Sequence, residues 1–530
     1  YLSTPIQINQ KRFEIKYGVD QVKCISKPRQ KLVEKKDWIP DSSGDRCAIC
    51  NKDFTVFLRR HHCRRCGRIF CGSCMAKSVS LSADIQMEKV CNLCVSILGE
   101  SDDIEYGIRK FRHLLLSKDY LLLQECIRYF RNVLTSDERR IIASSHEDVL
   151  YKVVDILKRS VIASASLPDG ARSPQQKQFS KQFGGVKQAE NIMHQCIGFI
   201  INFTTSTQRS FAGQLVKASV VFPLCSLLIA ERDSETHELV LWALRNLSVN
   251  NEACAQIYSP RTYGEILTDK TKYRTTSEAI IKFLKNRFGT TQHHAVSLLA
   301  NIVQSIPGEK VGKELAEYKP LVAVAGLIRD KNPSLREKAL MCVGVLGART
   351  IEFSRFFIAR GLLKTLVNFV GIGSGGQRTA AIRALNTFIS SKEACPPEFF
   401  NPKPPGELQE VLASAVGDEK ERTSESLFLS FVLSEDIISK LGQCVNDRDT
   451  VAALEVLSLF ESLLENDFIK EEVARILGEH GKELGKHFKA VKTGSGPHCE
   501  MVAPQVCRVI DLVERYTAKE NRGKFKKMCE

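Results

Sequence analysis

A mainly α fold, a solenoid of stacked helices that carries a small two-metal module near its start, is what this 530-residue chain predicts. Three observations predict it. Eight of the 19 cysteines fall within residues 47–94, as four C-x-x-C pairs. From Asp102 onward the apolar residues recur at the spacing of amphipathic helices, with no run of alternating strand character. Within those helices a small or apolar residue recurs six positions before an asparagine that should face the core, at intervals near the length of one helical repeat.

Composition is compatible with that plan. With 43% hydrophobic residues, a chain of this length buries a large core and is a multidomain or repeat protein. The net charge of +15 is uneven: residues 1–100 hold 18 Lys/Arg against 10 Asp/Glu, over half the excess in a fifth of the chain. That end, opening with a basic segment at 1–37, should meet an acidic partner. The cysteines outside the pairs, such as Cys196, Cys225 and Cys342, lie singly in apolar helical sequence. There a free thiol behaves as a small buried hydrophobe, which fits a reducing, cytosolic compartment. The longest apolar stretch, VVFPLCSLLIA, is far short of a bilayer span and contains Pro223.

The metal module is read from spacing. Its pairs are Cys47/Cys50, Cys63/Cys66, Cys71/Cys74 and Cys91/Cys94, separated by 12, 4 and 16 residues. Eight thiolates make two tetrahedral zinc sites. The four-residue gap between the second and third pairs disfavours sites closed in sequence order. It favours a cross-brace, with Cys47, Cys50, Cys71 and Cys74 on the first zinc and Cys63, Cys66, Cys91 and Cys94 on the second. Four thiolates leave no open coordination position, so both sites are structural. In so short a segment they should supply much of the folding free energy.

Across the second pair runs RRHHCRRCG, residues 59–67. An isolated charge run is usually a solvated face, but this one is wedged between metal ligands. Backbone fixed on both sides can aim several cationic donors at one anion, as phosphate recognition requires.

Three ordered motifs now resemble one family, the FYVE zinc fingers. W-x-x-D is present as Trp38-Ile39-Pro40-Asp41, R-R/K-H-H-C-R-x-C-G as Arg59 to Gly67, and R-V-C as Lys89-Val90-Cys91 with lysine for arginine. The resemblance covers residues 38–98. It implies binding of phosphatidylinositol 3-phosphate on the cytosolic face of endosomal membranes. Arg59, Arg60 and Arg64 would contact head-group phosphates, and Asp41, His61 and His62 would hydrogen-bond the ring or its 3-phosphate. Lys89 would keep the charge of the third motif without the planar fork. Val56 and Phe57, just before the basic run, match the family's membrane-entering loop. Trp38 suits packing under the finger as well as any role beside the ligand.

Residues 102–530 are expected to form a helical repeat domain. The recurring segments are CIGFIINF (Asn202), VLWALRNL (Asn246), AVSLLANI (Asn301), ALMCVGVL with Val345 in the Asn place, and AAIRALNT (Asn386), at intervals of 44, 55, 44 and 41 residues. VAALEVLSLFESLL, from Val451, is a further degenerate copy. The pattern resembles armadillo and HEAT repeats, in which the Asn would bond backbone of the neighbouring repeat. Such repeats stack because none buries its apolar face alone, and the stack presents a groove to proteins or peptides. Residues 164–188 read as a mobile loop, 395–407 as a proline-rich connector, 492–498 as a linker before the last helix, and the basic C-terminal tail as solvated.

No catalytic constellation is read. GIGSGGQ lacks the Lys-Ser/Thr of a phosphate loop and sits between helices, and His293-His294 has no partners at ligand spacing. The expectation is therefore a non-enzymatic peripheral endosomal adaptor with two zinc ions. Its solenoid would recruit a protein partner in membrane trafficking, and dimerisation would supply a second finger. The alternatives are a RING-like E3 ubiquitin ligase and a zinc-stabilised scaffold without lipid binding. The RING pattern needs a histidine ligand after a cysteine, whereas His61 and His62 precede Cys63. Nucleic acid is not expected as a partner, because an apolar loop adjoins the basic run and no stacking platform is apparent.

Overall fold

The computed structural model describes residues 34–75, 79–80, 87–97, 104–165, 172–205, 208–258, 273, 275–285, 289–306, 320–347, 362–373, 375–390, 435–446, 449–465, 470–479, 481–517 and 523–529. The chain divides into two compact units, one running Phe13–Ala279 and the other holding Ile280–Glu530.

The first unit begins with the finger. Its regular structure is sparse: a two-residue strand His61–His62 antiparallel to Ile69–Phe70, a second short pair Val79–Ser80 with Met87–Glu88, and the helix Asn92–Ile97. Two backbone knuckles shape the first two C-x-x-C pairs. The amide of Asn51 donates to the Cys47 carbonyl at 2.8 Å, and the amide of Gly67 donates to the Cys63 carbonyl, also at 2.8 Å. Both residues take positive φ, 58° and 71°, which asparagine and glycine accept at least cost. Besides the cysteines, Ile49, Ile69, Phe70, Val90, Leu93 and Ile97 are the buried apolar residues among those described. This core is too small to hold the segment without metal.

Helices follow in the same unit from Ile104–Phe111 to Asn251–Tyr258. Several start on clear caps: the Asp119 carboxylate accepts from the amides of Leu121 and Leu122, and the Asp233 carboxylate accepts from that of Thr236. At the centre lies Val186–Thr204, packed against Tyr120–Val133, Glu147–Ala163 and Ser234–Leu247. In the second unit Gly289–Ser305, Pro333–Gly347, Gly375–Ser390, Thr450–Leu464 and Pro497–Tyr516 stack side by side in sequence order. Gly344 lets two of these approach closely, since a Cβ there would stand 2.8 Å from the Ala384 Cα. Among the described residues no strand follows the finger, and no single helix is long and apolar enough to cross a membrane.

The asparagines of the repeat pattern are buried. Asn202 donates from Nδ2 to the Arg131 carbonyl at 2.9 Å, and Asn246 to the Ile201 carbonyl at 3.4 Å, each on a neighbouring helix. Asn386 uses side chains instead: it donates to Ser458 Oγ and accepts from Ser462 Oγ, both at 2.9 Å. Val345 is buried in the corresponding place.

Three expectations need correction. The stretch 164–188 is not all loop: Pro174–Gln182 is a helix, and Val186 opens the next. The reason is a capping box, in which Ser173 Oγ accepts from the Gln176 amide, Gln176 Oε1 accepts from the Ser173 amide, and Pro174 holds the first helical position. Residues 494–496 do separate two helices, but Pro497–Tyr516 is followed by another, Lys524–Cys529, whose Phe525 and Cys529 are buried, so the basic tail is not simply solvated. Nor are all the lone cysteines buried: Cys507 is exposed and Cys499 partly so. The proline-rich connector 395–407 and residues 1–33 lie outside the described residues.

Candidate metal centres and the basic face beside them

The eight paired cysteines converge as two groups. Sγ atoms of Cys47, Cys50, Cys71 and Cys74 lie within 4.8 Å of one another, and so do those of Cys63, Cys66, Cys91 and Cys94. First joins third and second joins fourth, which is the cross-brace. The surroundings suit thiolates: the Cys71 amide donates to Cys47 Sγ at 3.3 Å, the Cys91 amide to Cys63 Sγ at 3.2 Å, and Arg65 Nη1 to Cys94 Sγ at 3.3 Å. Hydrogen bonding from Cys74 holds the Cys47 thiol down at about 4, and bonds from Cys66, Cys91 and Cys94 hold Cys63 well below the ordinary range. Four sulfur donors at this spacing fit zinc, which would lock the knuckles and displace the remaining protons.

The basic run unfolds around these groups in two directions. On one side, Trp38 stacks on His62 with ring centroids 4.9 Å apart, and the Arg64 guanidinium lies over the Trp38 ring at 4.4 Å. His62 Nε2 donates to the Ile39 carbonyl at 2.7 Å, so this nitrogen carries the proton, and Asp41 Oδ1 stands 3.8 Å away. The Ile39 amide donates to the Gly67 carbonyl at 3.0 Å. W-x-x-D is thereby folded onto the strand that bears the histidines. Arg64 also donates from Nη1 to the His62 carbonyl at 3.2 Å, and its Nε lies 3.7 Å from Glu88 Oε2. Its backbone amide donates to the Lys89 carbonyl at 3.0 Å, which brings the third motif alongside the second.

Arg60 lies over the Phe54 ring at 4.9 Å and donates to the Gly44 carbonyl. Arg59 and Lys89 are exposed, and among the described residues their side chains have no hydrogen-bond or ion-pair partner. His61 is half-buried, near Gly72. Immediately before these groups, Val56 and Phe57 stand 80% and 95% exposed on a turn that Thr55 closes, its Oγ1 accepting from the Phe57 and Leu58 amides. No other large apolar side chain among the described residues is as exposed.

On the other side are two arginines that the motifs do not single out. Arg65 is buried, and its Nη1 reaches Glu125 Oε2 at 2.8 Å as well as Cys94. Arg68 makes a two-pronged contact with Asp119, Nε to Oδ2 at 2.9 Å and Nη2 to Oδ1 at 3.0 Å. Burial pulls both guanidiniums down, but Cys94 and Glu125 at Arg65, and Asp119 at Arg68, outweigh it and hold them above their usual range. The first half of the run therefore faces outward beside an apolar tip, while Arg65 and Arg68 fasten the finger to the helix Tyr120–Val133.

Comparison with known proteins agrees with this geometry. The FYVE zinc finger family model matches residues 37–100. The Arabidopsis thaliana protein FREE1 is 28% identical over 160 residues, 30% of this chain and 22% of that one. The human RUN and FYVE domain-containing protein 2 is 34% identical over 85 residues, 16% of this chain and 13% of the relative. A 1-phosphatidylinositol-3-phosphate 5-kinase of Arabidopsis thaliana, FAB1A, is 45% identical over 65 residues, 11% of this chain and 4% of the kinase. The chain thus spans less than a quarter of the length of each. Among solved structures, a designed armadillo repeat protein in complex with the peptide (KR)4 aligns with 54% of this chain and 100% of its own, at 17% identity and a TM-score of 0.39.

Proposed function

From the premise that residues 37–100 are a FYVE zinc finger with two four-cysteine groups for zinc, we propose that the chain is a non-enzymatic peripheral adaptor. It reads phosphatidylinositol 3-phosphate on the cytosolic face of endosomal membranes and presents its armadillo-like helices to a protein partner in membrane trafficking. The observation that carries the reading is the juxtaposition of an exposed Val56-Phe57 tip with the exposed cations Arg59 and Arg60 and, part-buried beside them, His61, His62 and Arg64. The tip enters the bilayer interface, and the cations meet the head group behind it. The likeness to a kinase named for the same lipid supports that ligand.

The roles follow from position. Arg59 and Lys89, both exposed, supply charge to the phosphates, and Arg60 and Arg64 supply planar forks. His61 donates to the ring or its 3-phosphate, His62 can do so only through Nδ1 because its Nε2 proton is taken by the Ile39 carbonyl, and Asp41 accepts from a hydroxyl. Each apolar tip residue contributes about 1.5 to 3 kcal/mol on burial, and each nearby cation about 1 kcal/mol on an anionic surface, so a single finger docks weakly and reversibly. A second finger through dimerisation, or a partner held by the helices, makes residence durable.

The test is flotation with vesicles that carry phosphatidylinositol 3-phosphate or other phosphoinositides at matched total charge, comparing the native chain with Arg64→Ala. Selective flotation that Arg64→Ala abolishes is the expected result. Flotation that follows charge alone, or none at all, refutes the lipid-reading role.

A further inference from the structure

Arg64 is a part-buried cation of the basic run, held by protein on three sides. Its flat side rests on Trp38 at 4.4 Å, Nη1 donates to the His62 carbonyl at 3.2 Å, and Nε lies 3.7 Å from the Glu88 carboxylate. Among the described residues Nη2 has no partner, and it is the edge left for a ligand. Glu88 itself is only 28% exposed in its side chain, and it sits one residue before Lys89, the variant position of the third motif. A carboxylate so close to a phosphate-reading guanidinium is an electrostatic cost to any anionic ligand. A phosphate on Nη2 and the carboxylate near Nε share one guanidinium, so the two anions stand within a few ångströms of each other.

We propose that Glu88 is a specificity-determining residue that limits this face to inositol head groups bearing a single phosphate monoester. The inference rests on the lipid reading above and deepens it. Arg64, Arg59, Arg60 and Lys89 compensate one phosphate monoester and the fixed Glu88 charge together. Each further phosphate brings about −1.5 to −2 charge at neutral pH, as phosphate monoesters do, and meets a carboxylate that already stands beside Arg64. Rejection of the wrong ligand by a placed like charge discriminates without weakening the favoured contact to the same degree.

The experiment uses the full chain, zinc-loaded, with vesicles carrying phosphatidylinositol 3-phosphate, a bisphosphorylated phosphatidylinositol, or phosphatidylserine at equal total charge. The variants are Glu88→Gln, Glu88→Asp and Arg64→Ala, each checked for zinc content. Glu88→Gln is expected to raise binding to the bisphosphate lipid about fivefold more than binding to the monophosphate, and Glu88→Asp to keep the native ratio. If the native chain selects the monophosphate, Arg64→Ala abolishes binding, and Glu88→Gln leaves the ratio unchanged, the Glu88 role is overturned while the lipid reading stands. A Glu88→Gln loss on both lipids also overturns it, because the carboxylate then serves to hold Arg64. Absence of selective binding in the native chain, with Arg64→Ala silent, overturns both.

Discussion

Arg68 and Asp119 are joined by two parallel hydrogen bonds, and the same Asp119 carboxylate caps the helix Tyr120–Val133 by accepting from the amides of Leu121 and Leu122. One carboxylate therefore fixes both the finger and the start of the helix on which it rests. Further along the same helix, Glu125 takes Arg65, which in turn touches Cys94. A metal ligand, an arginine and a helix form one chain of contacts, so the finger and this helix belong to a single packed body within the first unit.

Glu125→Ala leaves the Arg65 guanidinium buried beside Cys94 without its carboxylate partner, a change that costs about 3 kcal/mol or more. Asp119→Ala removes a helix cap, worth about 1 kcal/mol, together with the partner of Arg68. Both variants are expected to lower the urea midpoint of the first unit and to raise amide exchange in Tyr120–Val133. Stability unchanged in both would show that the finger is not fastened through these pairs.

Zinc removal should act beyond the finger for the same reason. The chain has two tryptophans, Trp38 and Trp242, so a Trp242→Phe background isolates the ring that stacks on His62 next to Cys63. A strong chelator is expected to shift Trp38 emission and expose the amides of residues 34–75 and 87–97, with far-UV helix content largely kept. Protection in Tyr120–Val133 falls in parallel, and added zinc restores all three. A Trp38 signal indifferent to chelation would mean that the apolar core alone holds this segment.

How far these arrangements can be read in advance depends on the reach of the signal. The cysteine pairing is legible because ligand spacing is local and a four-residue gap restricts which pairs can meet. The asparagines are legible because their helices repeat. The Arg68–Asp119 and Arg65–Glu125 pairs span 51 and 60 residues, and nothing in a charge run says which members turn inward. A partial signal exists: Arg64 and Arg65 are consecutive between two ligands of one metal, so their side chains leave a rigid backbone in different directions. The helix Pro174–Gln182 is legible too, since Ser-Pro-Gln-Gln spells a capping box, but the surrounding polar and glycine-rich residues mask it as a loop. Phe525 and Cys529, four apart in a basic tail, likewise mark a helix face that the charges obscure.

Asn202 tests the repeat. Its Nδ2 donates to the Arg131 carbonyl at 2.9 Å, and its own backbone carbonyl accepts from Arg140 Nε at 2.7 Å, so it ties three helices together. Asn202→Leu leaves the Arg131 carbonyl buried without that donor, at a cost of about 1 to 3 kcal/mol. Thermal unfolding of the first unit should move down by several degrees, whereas an exposed substitution such as Glu138→Ala leaves it in place.

Phe57 separates binding from folding. Its side chain is 95% exposed and that of Val56 80%, so neither contributes to the core, and Phe57→Ser or Val56→Ser should leave zinc content and the unfolding transition as they are. On a vesicle the same rings and methyls leave water. Losing one removes about 1.5 to 3 kcal/mol of burial, which is roughly a ten- to hundredfold loss in partitioning. The loss should persist at high salt, because the apolar term is not screened, while Arg59→Ala should matter less as salt rises. Flotation across a salt series reads both slopes. Equal salt sensitivity for Phe57→Ser and Arg59→Ala would mean that the tip stays in water and that charge alone brings the finger to the surface.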